Sequence, residues 1–225
     1  MTFQLDDRFE WFLEQFGEPQ NSIAVDNSTL GAYKGVLPNR LLEYWQEYGF
    51  CRFKDGLFWI VNPSDYHESM NTWLKGTGVL DLDSFHVIAR TGFGSLLLWG
   101  KKTGQSWRID IIDSQLFFKR SDEKRILSEG EDVSLKGFFG VISPENVDLE
   151  DIDIDEPIFE QAIAKFGPLK ENEMFTFEPA PFLGGKQTIK TLSKVDFFIQ
   201  SEILASMGQR QIMDIKSLAK KAFGK

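Results

Sequence analysis

Phe9, Phe12, Leu13 and Phe16 recur at i, i+3, i+4 and i+7, the spacing that places four side chains on one helical face. Asp6 and Asp7 suit the positive start of such a helix, Gly17 suits its C-terminal turn, and Pro19 blocks continuation, so a helix is expected over 6–16. A second stripe, Leu41, Leu42, Trp45 and Tyr48, lies between Pro38 and Gly49 and predicts a helix over 38–48. Two β-prone runs, 51–54 and 57–61, flank Asp55-Gly56, which is a strong hairpin signal. Asn62-Pro63 then opens a third helical pattern through Tyr66, Met70, Trp73 and Leu74.

Beyond Gly76-Thr77-Gly78 the period changes. Short strand-like runs at 85–89, 95–99, 105–112 and 116–119 are separated by Gly92, Gly94, Gly100 and Gly104. Helices followed by a meander of strands predict an α+β fold with an antiparallel sheet and flanking helices. Further on, helices are expected over 156–166, 194–207 and 209–222, with a strand at 174–177, which makes the C-terminal part smaller and mostly helical. The charged stretch 119–125 marks the expected boundary between a domain of residues 1–120 and a domain of residues 121–225.

Charge sharpens this division. Residues 1–120 hold 12 basic and 15 acidic side chains, residues 121–178 hold 5 and 16, and residues 179–225 hold 8 and 3. The net charge of −9 has the wrong sign for binding nucleic acid directly, and favours a basic partner. One cysteine, Cys51, permits no intrachain disulfide. The N-terminus lacks the pattern of a secretory signal, and no apolar run approaches the roughly 20 residues of a membrane helix, so a cytoplasmic location is expected.

Motifs for catalysis are scarce. His67 and His86 are the only histidines, no Gly-x-Ser-x-Gly elbow is present, and Cys51 carries no nucleophile signature. Metal-ligand spacings are missing too. Asp151, Asp153 and Asp155 start like a calcium loop, but Glu156 and Ala162 stand where such a loop needs Gly and Glu. The glycines at 92, 94 and 100 do not have phosphate-loop spacing. No catalytic residue, metal or cofactor is therefore expected. The most distinctive feature is that no Lys or Arg occurs from 137 to 164, while eight acidic residues do. Asp148, Glu150, Asp151, Asp153, Asp155 and Glu156 are candidate contacts for a basic partner, with Trp73 and Trp107 as candidate anchors. Ile152 and Ile154 alternate with the aspartates, so an extended segment is expected, its isoleucines pinned to the body and its carboxylates outward.

Several strings carry a resemblance. Leu37-Pro38-Asn39-Arg40-Leu41-Leu42-Glu43-Tyr44-Trp45, Gly56-Leu57-Phe58-Trp59-Ile60-Val61-Asn62-Pro63 and Ile88-Ala89-Arg90-Thr91-Gly92-Phe93-Gly94 resemble the GAD-like domain. Phe166-Gly167-Pro168-Leu169, Glu173-Met174-Phe175-Thr176-Phe177-Glu178-Pro179-Ala180 and Leu192-Ser193-Lys194-Val195 resemble the C-terminal domain that follows it. The pair is similar to immunity proteins encoded beside DNase effectors of the bacterial type VI secretion system. That resemblance implies a non-catalytic antitoxin that binds a cognate nuclease effector stoichiometrically. The alternative reading is a small-ligand or regulatory binding module, recognisable by an aromatic pocket between sheet and helices.

Overall fold

The computed structural model describes residues 3–214. The first half contains α1 (Asp7–Phe16), β1 (Gln20–Ile23), α2 (Asn27–Tyr33), α3 (Asn39–Tyr48), β2 (Phe50–Phe53), β3 (Phe58–Ile60) and α4 (His67–Leu74). It continues through β4 (Phe85–Thr91), β5 (Leu96–Gly100), β6 (Gly104–Asp110) and β7 (Gln115–Phe118). Then come α5 (Glu123–Glu129), α6 (Glu131–Phe139), α7 (Pro144–Val147), β8 (Glu150–Asp151), β9 (Glu156–Pro157) and α8 (Phe159–Phe166). The described chain ends with β10 (Glu173–Phe177), β11 (Leu192–Asp196), α9 (Phe197–Met207) and β12 (Gln211–Asp214).

Strands β1 to β7 form an antiparallel meander in chain order, and β12 joins its far edge parallel to β7. The large sheet is thus mostly antiparallel, with helices packed on it. Successive side chains on a strand face opposite ways, and β3 shows the consequence. Phe58 packs against Phe12 and Phe16 of α1, whereas neighbouring Trp59 lies under Arg90 on the other face. α6 packs on α1, α3 and β6, and α4 packs on β4 and α9.

Local chemistry explains the element ends. Asp6 caps α1 by accepting from the backbone N–H groups of Arg8 and Phe9, and Phe9, Phe12 and Phe16 fill the core as their spacing predicts. The segment expected as one helix over 194–207 is instead β11 followed by α9. Asp196 makes the break, because its carboxylate caps α9 by accepting from Ile199 N–H while residues 192–196 pair with β10. The helix expected over 209–222 is likewise replaced at its start by β12, because the open edge of β7 offers backbone partners that a local pattern does not reveal. The rest of that expected helix lies outside the described residues.

The expected boundary at 120 falls between β7 and α5. The chain after it packs back closely onto the first half. Phe175 N–H donates to the Gly92 carbonyl and Leu169 N–H to that of Asp55. Gly92 is required by this approach: a Cβ there would sit 2.6 Å from the Phe159 ring and 2.7 Å from the Gly56 carbonyl oxygen. Gly94 combines φ 82° with the Met174 side chain at similar range. The glycines read as turn residues therefore also make room for the second half.

Candidate partner interface

The acidic segment is folded. Ser143 and Asn146 form a capping box on α7, and Pro144 occupies the first turn. Asp148 follows. Its carboxylate accepts from Leu149 N–H at 2.7 Å and Phe159 N–H at 3.0 Å, tying α7 to the start of α8. Burial pushes its carboxyl up to about 6, against these backbone bonds, which pull it down. β8 and β9 then form a minimal hairpin, with Asp151 paired to Glu156 and Glu150 to Pro157.

Asp151 organises the hairpin. It is buried, and its two oxygens accept from Asp153 N–H at 2.9 Å and Ile189 N–H at 2.8 Å. Its carboxyl is held below the usual range, the Ile189 bond being the largest cause. The carbonyl of Asp151 also receives Ile154 and Asp155 N–H, and Asp155 turns the chain at φ 54°. The segment 186–190 clamps the base: Gln187 donates to the Glu150 carbonyl, and Lys186 and Lys190 each lie 3.5 Å from Asp153.

This geometry reverses one expectation. Ile152 and Ile154 are 56% and 55% exposed, while Asp151 is the buried member. Alternation holds only along an extended strand, and residues 152–155 form a tight turn. The hairpin thus presents two isoleucines at its tip, with Glu150, Asp155 and Glu156 exposed around them. Beside it runs a groove of about 630 Å³ lined by Glu145, Asp148, Glu150, Ile154, Glu156 and Glu160 with the single cation Lys54. Lys54 lies 4.0 Å from Glu160, so most of the negative charge stays uncompensated.

Neither tryptophan named as an anchor is on the surface. Trp73 is fully buried, donates to Ser201 Oγ at 2.9 Å and lies beneath Arg210. Trp107 is 6% exposed on β6 and packs against Phe118. Both are corrected to core residues, because the indole area that makes a good anchor also makes a good core. A different apolar surface lies on α9. Ile199, Ile203 and Met207 recur every four residues on α9 and are 45–62% exposed. That period was visible, but expecting helix from 194 hid which face stayed free.

Cys51 is buried and its thiol is pushed up to about 12, far from a nucleophilic thiolate at neutral pH. His67 pairs with Asn71, and His86 packs edge-on to Tyr33 with its pKa lowered by burial. Among the described residues no cluster of three or more His, Cys, Asp or Glu could hold a metal, and no helix is long and apolar enough to cross a membrane.

Residues 7–113 match the family model of the GAD-like domain, and residues 132–208 match that of the T6SS immunity protein Tdi1, C-terminal. Together the two matches support a family of T6SS immunity proteins in which a GAD-like part precedes a Tdi1-type C-terminal part. The acidic hairpin, the carboxylates of its groove and α9 all fall within the Tdi1-type part. A T6SS immunity family implies an effector as partner. The fold is similar to the crystal structure of Atu4351 from Agrobacterium tumefaciens, with 23% identity, 92% of each chain covered and a TM-score of 0.79. No curated protein matches this chain.

Proposed function

We propose that this chain is a cytoplasmic antitoxin that neutralises a DNase effector of the type VI secretion system by stoichiometric binding, without catalysis of its own. The observation that carries the reading is the Tdi1-type family match over 132–208, which includes the uncompensated acidic surface. A nuclease must carry a cationic face to hold DNA phosphates, and an acidic surface competes for that face. In this reading Glu150, Asp155 and Glu156 supply the field, and Ile152 and Ile154 supply apolar contact at the centre of the docked patch. Asp148, Asp151 and Asp153 hold the shape, through backbone bonds and the lysine clamp. Trp73, beneath α9, and Trp107, in the sheet, belong to the core.

The test is co-expression with the effector encoded by the neighbouring gene, together with stopped-flow association of the purified pair. The expected result is rescue of growth and a 1:1 complex. Replacing Glu150, Asp155 and Glu156 by Lys should slow association by at least about 10-fold at low salt, with little difference at high salt. Unchanged association in the triple variant would remove the hairpin from the interface. Failure of the wild-type chain to bind or protect would remove the antitoxin reading altogether.

A further inference from the structure

On the sheet face that carries α6, a pocket of about 290 Å³ opens between β6, the end of β7 and the turn joining α6 to α7. Its floor is apolar, with Phe117 and Phe138 among the lining residues. Its polar lining is Gln105, Ser106, Arg108 and Lys119, together with Thr91 and Asn146, and it includes no carboxylate. That is unusual in a chain of net charge −9, whose other named groove is acidic.

Two polar groups here have unused bonding capacity. Ser106 is 1% exposed and its Oγ has no hydrogen-bond partner, and the buried Nε of Arg108 has none either. Unpartnered buried polar atoms are costly, by about 1–3 kcal/mol each. Most native groups of this kind are satisfied, and here both atoms belong to residues that line the pocket while lying behind its accessible surface. Thr91 differs: its hydroxyl already accepts from Ser95 N–H. The Arg108 guanidinium lies 4.7 Å over the Phe117 ring, another lining residue. The nearest carboxylate, Asp110, is 4.0 Å away, at the limit of an ion pair. Lys119 is exposed and forms no ion pair among the described residues. The neighbouring cations differ in this respect, since Arg120 is paired with Asp122 and Arg125 with Glu129.

We infer that this pocket binds a small organic anion, a carboxylate or phosphate monoester carried on a flat apolar body. Arg108 and Lys119 take the anionic group, Gln105 completes its hydrogen bonds, and Phe117 and Phe138 pack the body. The volume sits at the lower end of small-molecule sites, roughly 300–1,000 Å³, and suits a single ring with its acid group. This site is on a different part of the fold from the acidic hairpin and stands or falls independently of the antitoxin reading.

The test is calorimetric titration of the full chain with phenyl phosphate, phenylacetate, inorganic phosphate and benzyl alcohol. Phenyl phosphate or phenylacetate is expected to bind with Kd below about 1 mM, a modest value for so small a ligand. The tighter of the two identifies the acid group. Lys119→Gln, at an exposed position that leaves the fold intact, should weaken binding about 5-fold. Arg108→Gln should weaken it by about 10-fold or more. The inference is overturned if neither aromatic anion binds, if benzyl alcohol binds as well as the anions, if inorganic phosphate matches phenyl phosphate, or if Lys119→Gln retains wild-type affinity.

Discussion

Arg90 is a buried cation with no carboxylate partner among the described residues, and its substitutions should rank in an order that similarity tables reverse. Its side chain is wholly inaccessible. Nε donates to Tyr66 Oη at 2.8 Å, Nη2 to the Glu171 carbonyl at 2.7 Å, and Nη1 only weakly, at 3.4 Å, to the Thr91 carbonyl. The guanidinium lies 4.3 Å over Trp59 and 5.6 Å from the centre of Phe197. Removing a charge from water costs several kcal/mol. Two strong charge-assisted bonds return about 1.5–3 kcal/mol each, and the Trp59 face about 2 kcal/mol more. The opposing terms nearly cancel, so Arg90 adds little net stability and much geometric definition across the seam between the two halves. Arg90→Met removes both sides of the balance but leaves Tyr66 Oη and the Glu171 carbonyl without their donor, an expected loss of about 1–3 kcal/mol. Arg90→Lys keeps the buried charge but loses the planar fork that reaches both acceptors. Its expected loss is about 3–5 kcal/mol. Urea unfolding followed by tryptophan fluorescence and far-UV circular dichroism measures both variants. If the lysine variant is as stable as wild type, or more stable than the methionine variant, the reasoning is refuted.

Two further outcomes are expected. Ser201→Ala leaves the buried Trp73 indole N–H without its acceptor and should cost about 1–3 kcal/mol, measured by the same unfolding curves; a change below 0.5 kcal/mol would mean that another acceptor takes over. Asp113 is raised to about 6, mainly by burial and then by neighbouring Asp110, against an ordinary value of 3.8. The folded state therefore binds more protons than the unfolded chain between about pH 4 and 6, and stability falls as pH rises through that window. The shift corresponds to about 3 kcal/mol, which solvent contact reduces to about 1 kcal/mol. Asp113→Asn should be more stable than wild type by that amount at pH 7 and equal to it near pH 4, in urea titrations at the two pH values. An equal difference at both pH values would show that the carboxylate's charge is not the cause.

The first half of the chain was largely legible from its residues. α1, α3, α4 and the strands β2 to β7 follow from 3.6- and 2-residue periods punctuated by Gly, Pro and Asp, all of which act within a few residues. Asp6 caps α1 and Phe9, Phe12 and Phe16 fill the core for reasons visible in ten consecutive letters. The acid-rich, lysine-free run of 137–164 was equally plain, and so was the family resemblance carried by strings in both halves.

Tertiary structure alone decided which of those acids face solvent. Asp151 is buried because Ile189, 38 residues later, brings a backbone N–H to it, and this closes a turn that exposes Ile152 and Ile154. β12 exists because β7 has a free edge, and Trp73 is core because Ser201 arrives from α9 to accept its N–H. The cationic pocket joins Ser106 and Arg108 on one strand to Lys119 past the next, across a pairing that no linear pattern displays. Periodicity records what a residue does with its neighbours in sequence. Exposure, charge pairing and unfilled hydrogen bonds depend on groups brought from far along the chain, and these set the surfaces available for recognition.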